Sequence, residues 1–273
     1  MPVQSRRPGA AAPPPAPDYL VAMLYFLVPA YEEEATLGLL LYKIRQVMRD
    51  VRREYLAIVL DDGSGDGTAE VAERYRRFLP VKVLRHAENR GLGPSLDRLV
   101  REAVRLSHYP ERDIAIVLDA DFTWSPETVP EMVRQIESGV DVVIGSRLHP
   151  ETGLAGLPFA KRLSARVVST VLRAVMPLPN VVDYGSTFRA YRIGTLKRAI
   201  AAYQEGLLTT LDAAANVELL LRLGRLHPSI VEVPVRLQEE IRRRPSRHRW
   251  ARTVRGQLAL TGRVDRVETP PAA

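Results

Sequence analysis

Tyr55-Leu56-Ala57-Ile58-Val59-Leu60-Asp61-Asp62-Gly63-Ser64-Gly65-Asp66-Gly67-Thr68 is the stretch that decides the fold class. An almost unbroken apolar run reads as a strand covered on both faces, and it stops at two carboxylates. A glycine-rich turn follows. Asp66 can then accept from the first free N–H groups of a helix predicted to run to about Phe78. The same order recurs on either side. Leu20–Val28 reads as a strand, and Leu37, Leu40, Leu41, Ile44, Val47, Met48 and Val51 recur at helical spacing. Strands are predicted at 81–84, 114–118 and 140–144, with a helix over 92–106 and a helix start at Ser125-Pro126-Glu127. Alternating strands and helices predict an α/β domain with a largely parallel central sheet and helices on both faces. Ligands bind such sheets beyond the carboxyl ends of the strands, where Asp61-Asp62 and Asp119-Ala120-Asp121 both fall.

The second part of the chain has a different texture. Phe159–Met176 is predicted as an amphipathic helix, with Leu163, Val167, Val171 and Val175 on one side and Arg162, Arg166 and Arg173 on the other. Asp183–Tyr191 reads as a polar loop or strand, Leu211–Leu223 as a helix containing Glu218, and Ser229–Val235 as a strand. Residues 236–255 carry eight arginines against two acids. The expected organisation is a disordered Pro/Ala-rich arm over 1–18, an α/β half over 19–150, a second half of the same domain over 151–235, and a basic segment over 236–273.

The chain has 273 residues, enough for a sizeable core, and its 26% charged content is ordinary for a folded protein. It contains no cysteine, which excludes thiolate metal sites and cysteine nucleophiles. The net charge of +7 points to anionic partners. The most apolar run, Tyr19–Tyr31, is too short to span a bilayer, which takes about 20 residues. The start of the chain shows no apolar core of a secretory leader. Five histidines share no metal spacing and receive no role.

Three clusters carry chemistry. Val28-Pro29-Ala30-Tyr31-Glu32-Glu33 is a strand end with a proline-fixed turn; alone it reads first as an ordinary strand-to-helix turn with acids at the helix start. The carboxylates of Asp61 and Asp62 can accept from a base N–H or ribose hydroxyls, and the glycines after them let backbone approach a ligand. In Asp119-Ala120-Asp121 two carboxylates at i and i+2 of a strand point the same way and repel unless a cation lies between them. Oxygen donors alone select Mg²⁺ or Mn²⁺. Trp124 is either a pocket wall or core.

Together these residues resemble the family 2 glycosyltransferases with the GT-A fold: V-P-A-Y-E-E, D-D-G-S-x-D-G-T, N-x-G-L-G (Asn89, Gly91, Leu92, Gly93) and D-A-D stand in that order. Gly145-Ser146-Arg147, Asp183-x-x-Ser186-x-Phe188-Arg189 and Glu232-Val233-Pro234-Val235 are similar to the polyprenyl-phosphate sugar transferases, the dolichyl-phosphate mannose synthase-like group. The resemblance implies that Pro29, Tyr31 and Glu33 border the nucleotide and that Asp61 and Asp62 hold base or ribose. It implies that Asp119, Ala120 and Asp121 serve the ribose, the diphosphate and the metal, Mg²⁺ or Mn²⁺. Arg162, Ser186 and Arg189 would face the acceptor phosphate. Thr123 stands where close relatives often carry a metal-contacting Gln, and the basic R-x-x-G-x-S-K segment is reduced to Arg242-Arg243-Arg244-Pro245-Ser246-Arg247.

The expectation is a cytoplasmic enzyme, peripheral at the inner face of the membrane. It would move one sugar, with inversion, from a nucleoside-diphosphate sugar to a polyprenyl phosphate, and meet anionic lipid through its arginines. The alternative is a soluble hydroxyl acceptor, for which Asp183 is the best-placed base. A nucleotidyltransferase would carry a Gly-rich basic loop where this chain has Ala30-Tyr31-Glu32-Glu33-Glu34. A nucleic-acid partner is not expected, because only 6% of residues are aromatic and the basic tail lacks a stacking series.

Overall fold

Along the first strand, β1 (Leu24–Ala30), alternation sends Leu24, Phe26, Val28 and Ala30 to one side and Tyr25 and Leu27 to the other; both sets are buried. β2 (Tyr55–Asp61) and β4 (Ile114–Val117) repeat the pattern, so both faces of the sheet need helices. The computed structural model describes residues 22–51, 53–151, 159–235 and 250–260, without the side chains of 159–162 and 250–254.

The remaining strands are β3 (Val81–Arg85), β5 (Val142–Ser146), β6 (Arg189–Arg192) and β7 (Ile230–Pro234). Among the described residues they form, with β1, β2 and β4, one seven-stranded sheet in the order β3-β2-β1-β4-β6-β5-β7, in which β6 alone runs antiparallel to its neighbours. The order reverses between β1 and β4, and the crevice beyond their carboxyl ends is the switch point where such sheets bind ligands.

One face is covered by α1 (Glu34–Val51), α2 (Thr68–Tyr75) and α4 (Val129–Glu137). The other carries α3 (Leu92–Leu106), α5 (Phe159–Val175), α6 (Ile193–Tyr203) and α7 (Ala215–Gly224). α8 (Trp250–Ala259) packs beside α5. The burial of Leu37, Leu40, Leu41, Ile44, Val47 and Met48 is the predicted stripe of α1. No helix among the described residues is long and apolar enough to cross a membrane.

Several elements differ from expectation. β1 begins four residues after Leu20, and α2 stops at Tyr75 rather than Phe78. The predicted helix over Leu211–Leu223 starts only at Ala215, because Thr209–Asp212 form a separate loop. The stretch 183–191 divides into a loop and the short β6. α6 and α8 were not expected. Residues 1–18 and the arginines at 236–249 lie outside the described residues.

Candidate functional site

The two acidic turns at the switch point are built on each other. Ser64 Oγ accepts from Glu32 N at 2.9 Å, Thr68 Oγ1 from Glu33 N at 2.8 Å, and Asp66 Oδ2 from Glu34 N at 3.4 Å. Glu34 returns the contact by accepting from Gly67 N at 3.2 Å. The loop after β2 therefore caps the helix that follows β1, satisfying N–H groups with no intrahelical partner. Asp66 also accepts from Thr68 N at 3.1 Å, but the cap position of α2 is Gly67, one residue later than the sequence predicts. Tyr31 stands 40% exposed on this rim, Glu33 is half-buried, and Pro29 and Ala30 form its floor.

Asp61 and Asp62 are both buried but differently employed. Asp61 Oδ1 accepts from Ser64 N at 3.1 Å, and Oδ2 lies 3.0 Å from Arg85 Nε. Asp62 binds His86 Nδ1 at 2.6 Å, Arg90 N at 3.1 Å and Gly91 N at 2.8 Å. It is the anchor of the 86–91 loop. Gly91 has φ 93° there, and a Cβ on it would lie 2.3 Å from Leu211 O; on Gly93 it would lie 1.7 Å from Thr210 O. Only glycine lets this turn press on the backbone of the loop before α7. That loop is held by buried Glu218, which accepts from Thr209 N at 3.0 Å and Thr210 N at 2.9 Å and pairs with Arg222 Nη2 at 2.8 Å.

Asp119-Ala120-Asp121 lies past the end of β4, so the i, i+2 strand argument does not describe it. Leu118 N makes the last bond to Leu27 O, at 3.1 Å, and Phe122 then takes φ 58°. Both carboxylates are nevertheless half-buried on the same turn. Asp121 Oδ1 accepts from Thr123 N at 2.9 Å, and Asp119 Oδ2 from the indole of Trp124 at 3.1 Å. Among the described residues no group of three or more His, Cys, Asp or Glu could hold a metal. Two carboxylates fit a hard divalent cation that completes its shell with phosphate and water oxygens.

The residues expected at the acceptor are mostly structural. Arg189 is fully buried, donating from Nη2 to Tyr184 O at 2.7 Å and from Nη1 to Asn216 O. Ser186 Oγ donates to Gly145 O at 2.6 Å. The side chain of Arg162 lies outside the described residues. Asp183 accepts from Arg147 N and Nε, each at 2.9 Å, and from Nη2 at 2.8 Å. Burial pushes the Asp183 carboxyl up, but the Arg147 guanidinium outweighs it and holds the group below the usual carboxylate range. A carboxylate so held is a poor proton acceptor near neutral pH. Glu232 supports the same loop, accepting from Val182 N at 2.6 Å and Asp183 N at 2.7 Å.

A depressed Asp183 stabilises the fold above its unfolded pKa of about 3.9, and that contribution is lost as pH falls through the folded value. Asp183→Asn is therefore expected to flatten the stability curve between about pH 4 and lower pH, relative to wild type, as read by urea denaturation across pH. An unchanged slope would show that the pair does not control acid sensitivity.

Arg147 follows a buried strand in Gly145-Ser146-Arg147, a segment to which the sequence reading attaches no role for the arginine. It lines a cavity of about 350 Å³ with His149, Arg166, Ser169, Arg173 and Val182. Ser169 Oγ is buried without a hydrogen-bond partner among the described residues. The guanidinium of Arg147 also lies 5.7 Å from the centre of the Trp124 ring, so the basic cavity adjoins the acidic turn.

A mostly parallel sheet with acidic turns at its switch point and a single reversed strand defines an α/β domain of the GT-A class. The chain belongs to glycosyl transferase family 2, whose model matches residues 25–199. It is 29% identical over 209 residues to a dolichol-phosphate mannosyltransferase of Pyrococcus furiosus, a match covering 76% of this chain and 54% of that protein. It is also 29% identical over 214 residues to an undecaprenyl-phosphate mannosyltransferase of Micrococcus luteus, covering 78% and 82%. The chain thus matches about half the length of the first relative and most of the second. Among solved structures, glucosyl-3-phosphoglycerate synthase of Mycobacterium tuberculosis with Mn²⁺, UDP-glucose and phosphoglyceric acid has a TM-score of 0.62 at 21% identity, covering 93% of this chain and 82% of that one. Mannosyl-3-phosphoglycerate synthase of Rubrobacter xylanophilus has 0.64 at 15%, covering 91% and 75%.

Proposed function

We propose that the protein transfers a sugar from a nucleoside-diphosphate sugar to a polyprenyl phosphate, with inversion at the anomeric carbon. The observation that carries this reading is the cavity lined by Arg147, Arg166 and Arg173, which Arg147 links through the Trp124 ring to Asp119. A phosphate monoester is largely ionised near neutral pH, with a second pKa of roughly 6. It needs orientation and charge compensation rather than a base, and arginines supply both. A hydroxyl acceptor would need a base, and Asp183 is already committed to Arg147. The relatives named for dolichol and undecaprenyl phosphates support the same acceptor class.

In this reading the rim of Pro29, Ala30, Tyr31, Glu33 and Asp61 holds the nucleotide, with Asp62 fixing the neighbouring loop. Asp119 and Asp121 hold Mg²⁺ or Mn²⁺, which would neutralise charge on the departing diphosphate. The arginines aim a phosphate oxygen at the face of the sugar opposite that leaving group. The test is a panel of UDP- and GDP-sugars with short polyprenyl phosphate, read by mass spectrometry. A lipid-linked sugar phosphate from one donor supports the reading; transfer only to soluble hydroxyl acceptors overturns it. Arg166→Ala, at an exposed position, is expected to raise the acceptor KM about tenfold or more and leave the donor KM within about twofold.

Leu163, Val167 and Val175 are exposed on α5, the helix that also carries Arg166 and Arg173. Apolar and cationic side chains on one helix suit an anionic membrane surface, each basic residue contributing about 1 kcal/mol. The protein is expected to sediment with phosphatidylglycerol-containing liposomes at low salt and to be released at high salt. Binding indifferent to lipid charge and to salt would contradict that.

A further inference from the structure

Trp124 is almost wholly buried, yet its indole N–H reaches the acidic turn. Its indole N–H faces Asp119 Oδ2 at 3.1 Å and Thr187 Oγ1 at 2.9 Å, and the Thr187 hydroxyl donates to the same Asp119 oxygen. One carboxylate oxygen is thus gripped by two donors from different parts of the chain: the turn after β4 and the loop entering β6. The ring itself is held by Phe188, 6.0 Å away between centroids, with the Arg147 guanidinium over it. A buried indole needs some acceptor in any case. What goes beyond that need is the choice of acceptor, a carboxylate of the candidate metal turn, and the convergence of a second donor on it.

We propose that Trp124 and Thr187 are positioning residues that set the orientation of Asp119 for the divalent cation. The proposal rests on the metal-dependent reading above. Two donors on one oxygen fix the plane of a carboxylate, and with it the direction of the other oxygen. Indole is donor-only and rigid, so it cannot turn round and compete for the cation as a hydroxyl or amide could. Partners of this kind around a metal ligand are worth about 10–100-fold in metal affinity. Thr187 contributes from the acceptor side of the site, so the orientation of Asp119 depends on how the loop before β6 is seated, and that loop carries Asp183, the partner of Arg147.

The test needs no turnover. Mn²⁺ is titrated into wild type, Trp124→Phe, Thr187→Val and Thr187→Ser in the presence of UDP and, separately, GDP, with free Mn²⁺ followed by electron paramagnetic resonance. Trp124→Phe keeps the ring and loses the N–H; Thr187→Val keeps the shape and loses the hydroxyl. Both are expected to weaken Mn²⁺ binding by about tenfold or more, while Thr187→Ser stays within about twofold of wild type. Indole emission should be quenched by Mn²⁺ in wild type, and the quenching should disappear in Trp124→Phe, which retains Trp250 as the only other tryptophan. Wild-type Mn²⁺ affinity in both Trp124→Phe and Thr187→Val would overturn this proposal and leave the proposed function standing. No Mn²⁺ binding by wild type with either nucleotide would overturn both this proposal and the metal-dependent step. If a melting curve shows Trp124→Phe to be unfolded, the contrast between Thr187→Val and Thr187→Ser decides.

Discussion

Asp121→Asn is expected to lower turnover at least about 100-fold with the melting temperature unchanged, the scale seen when a main electrostatic stabiliser of a transition state is removed. The substitution keeps an oxygen where Asp121 Oδ1 now accepts from Thr123 N, so the turn keeps its shape while the proposed metal site loses one negative charge. Initial rates at saturating Mg²⁺ or Mn²⁺ check it, and EDTA should abolish wild-type turnover. Full activity of the variant, or of wild type in EDTA, would remove the metal from the mechanism.

Glu218→Gln should be among the most destabilising changes in the protein, costing about 3–5 kcal/mol, because it leaves Arg222 charged and buried. Glu218 is fully buried and Arg222 is 4% exposed, with its guanidinium 4.9 Å from the centre of the Tyr203 ring. For a domain of this size the loss corresponds to roughly 2–4 °C in Tm per kcal/mol. Glu218→Gln with Arg222→Met should recover part of it, because the unpaired charge goes too. Urea denaturation of the single and double variants measures both terms. A loss below about 1 kcal/mol in the single variant would mean that the pair is not essential to the seat on which Gly91 and Gly93 rest.

How much of this was legible in the sequence depends on how local each feature is. β1 through α4 were readable because every unit states its own strand, turn and helix start within about thirty residues. α6 is not singled out by the sequence, although Leu196, Ala199, Ile200 and Tyr203 have helical spacing, because it follows β6 directly and carries Gly194 in its first turn. The acidic rim was legible because carboxylates ended apolar strands. Its internal division of labour was not. Nothing near Asp62 in sequence announces that His86 and the backbone of Arg90 and Gly91 will occupy it. Arg189 reads as a phosphate ligand beside Ser186, but pairing with β4 and β5 takes it inside. Conversely, Arg147 follows a buried strand like the acidic turns do, and only folding shows it next to Arg166 and Arg173.

The sheet order has a consequence for how the polypeptide is made. β6, from late in the chain, is inserted between β4 and β5, which come earlier. As the nascent protein leaves the ribosome, β1 to β4 can assemble in turn, but the outer edge of β4 stays open until Arg189–Arg192 emerge. An uncovered strand edge is a template for pairing with another chain. The interval between synthesis of residue 117 and residue 192 is therefore the window in which a stalled or truncated product is exposed to aggregation and depends on chaperones.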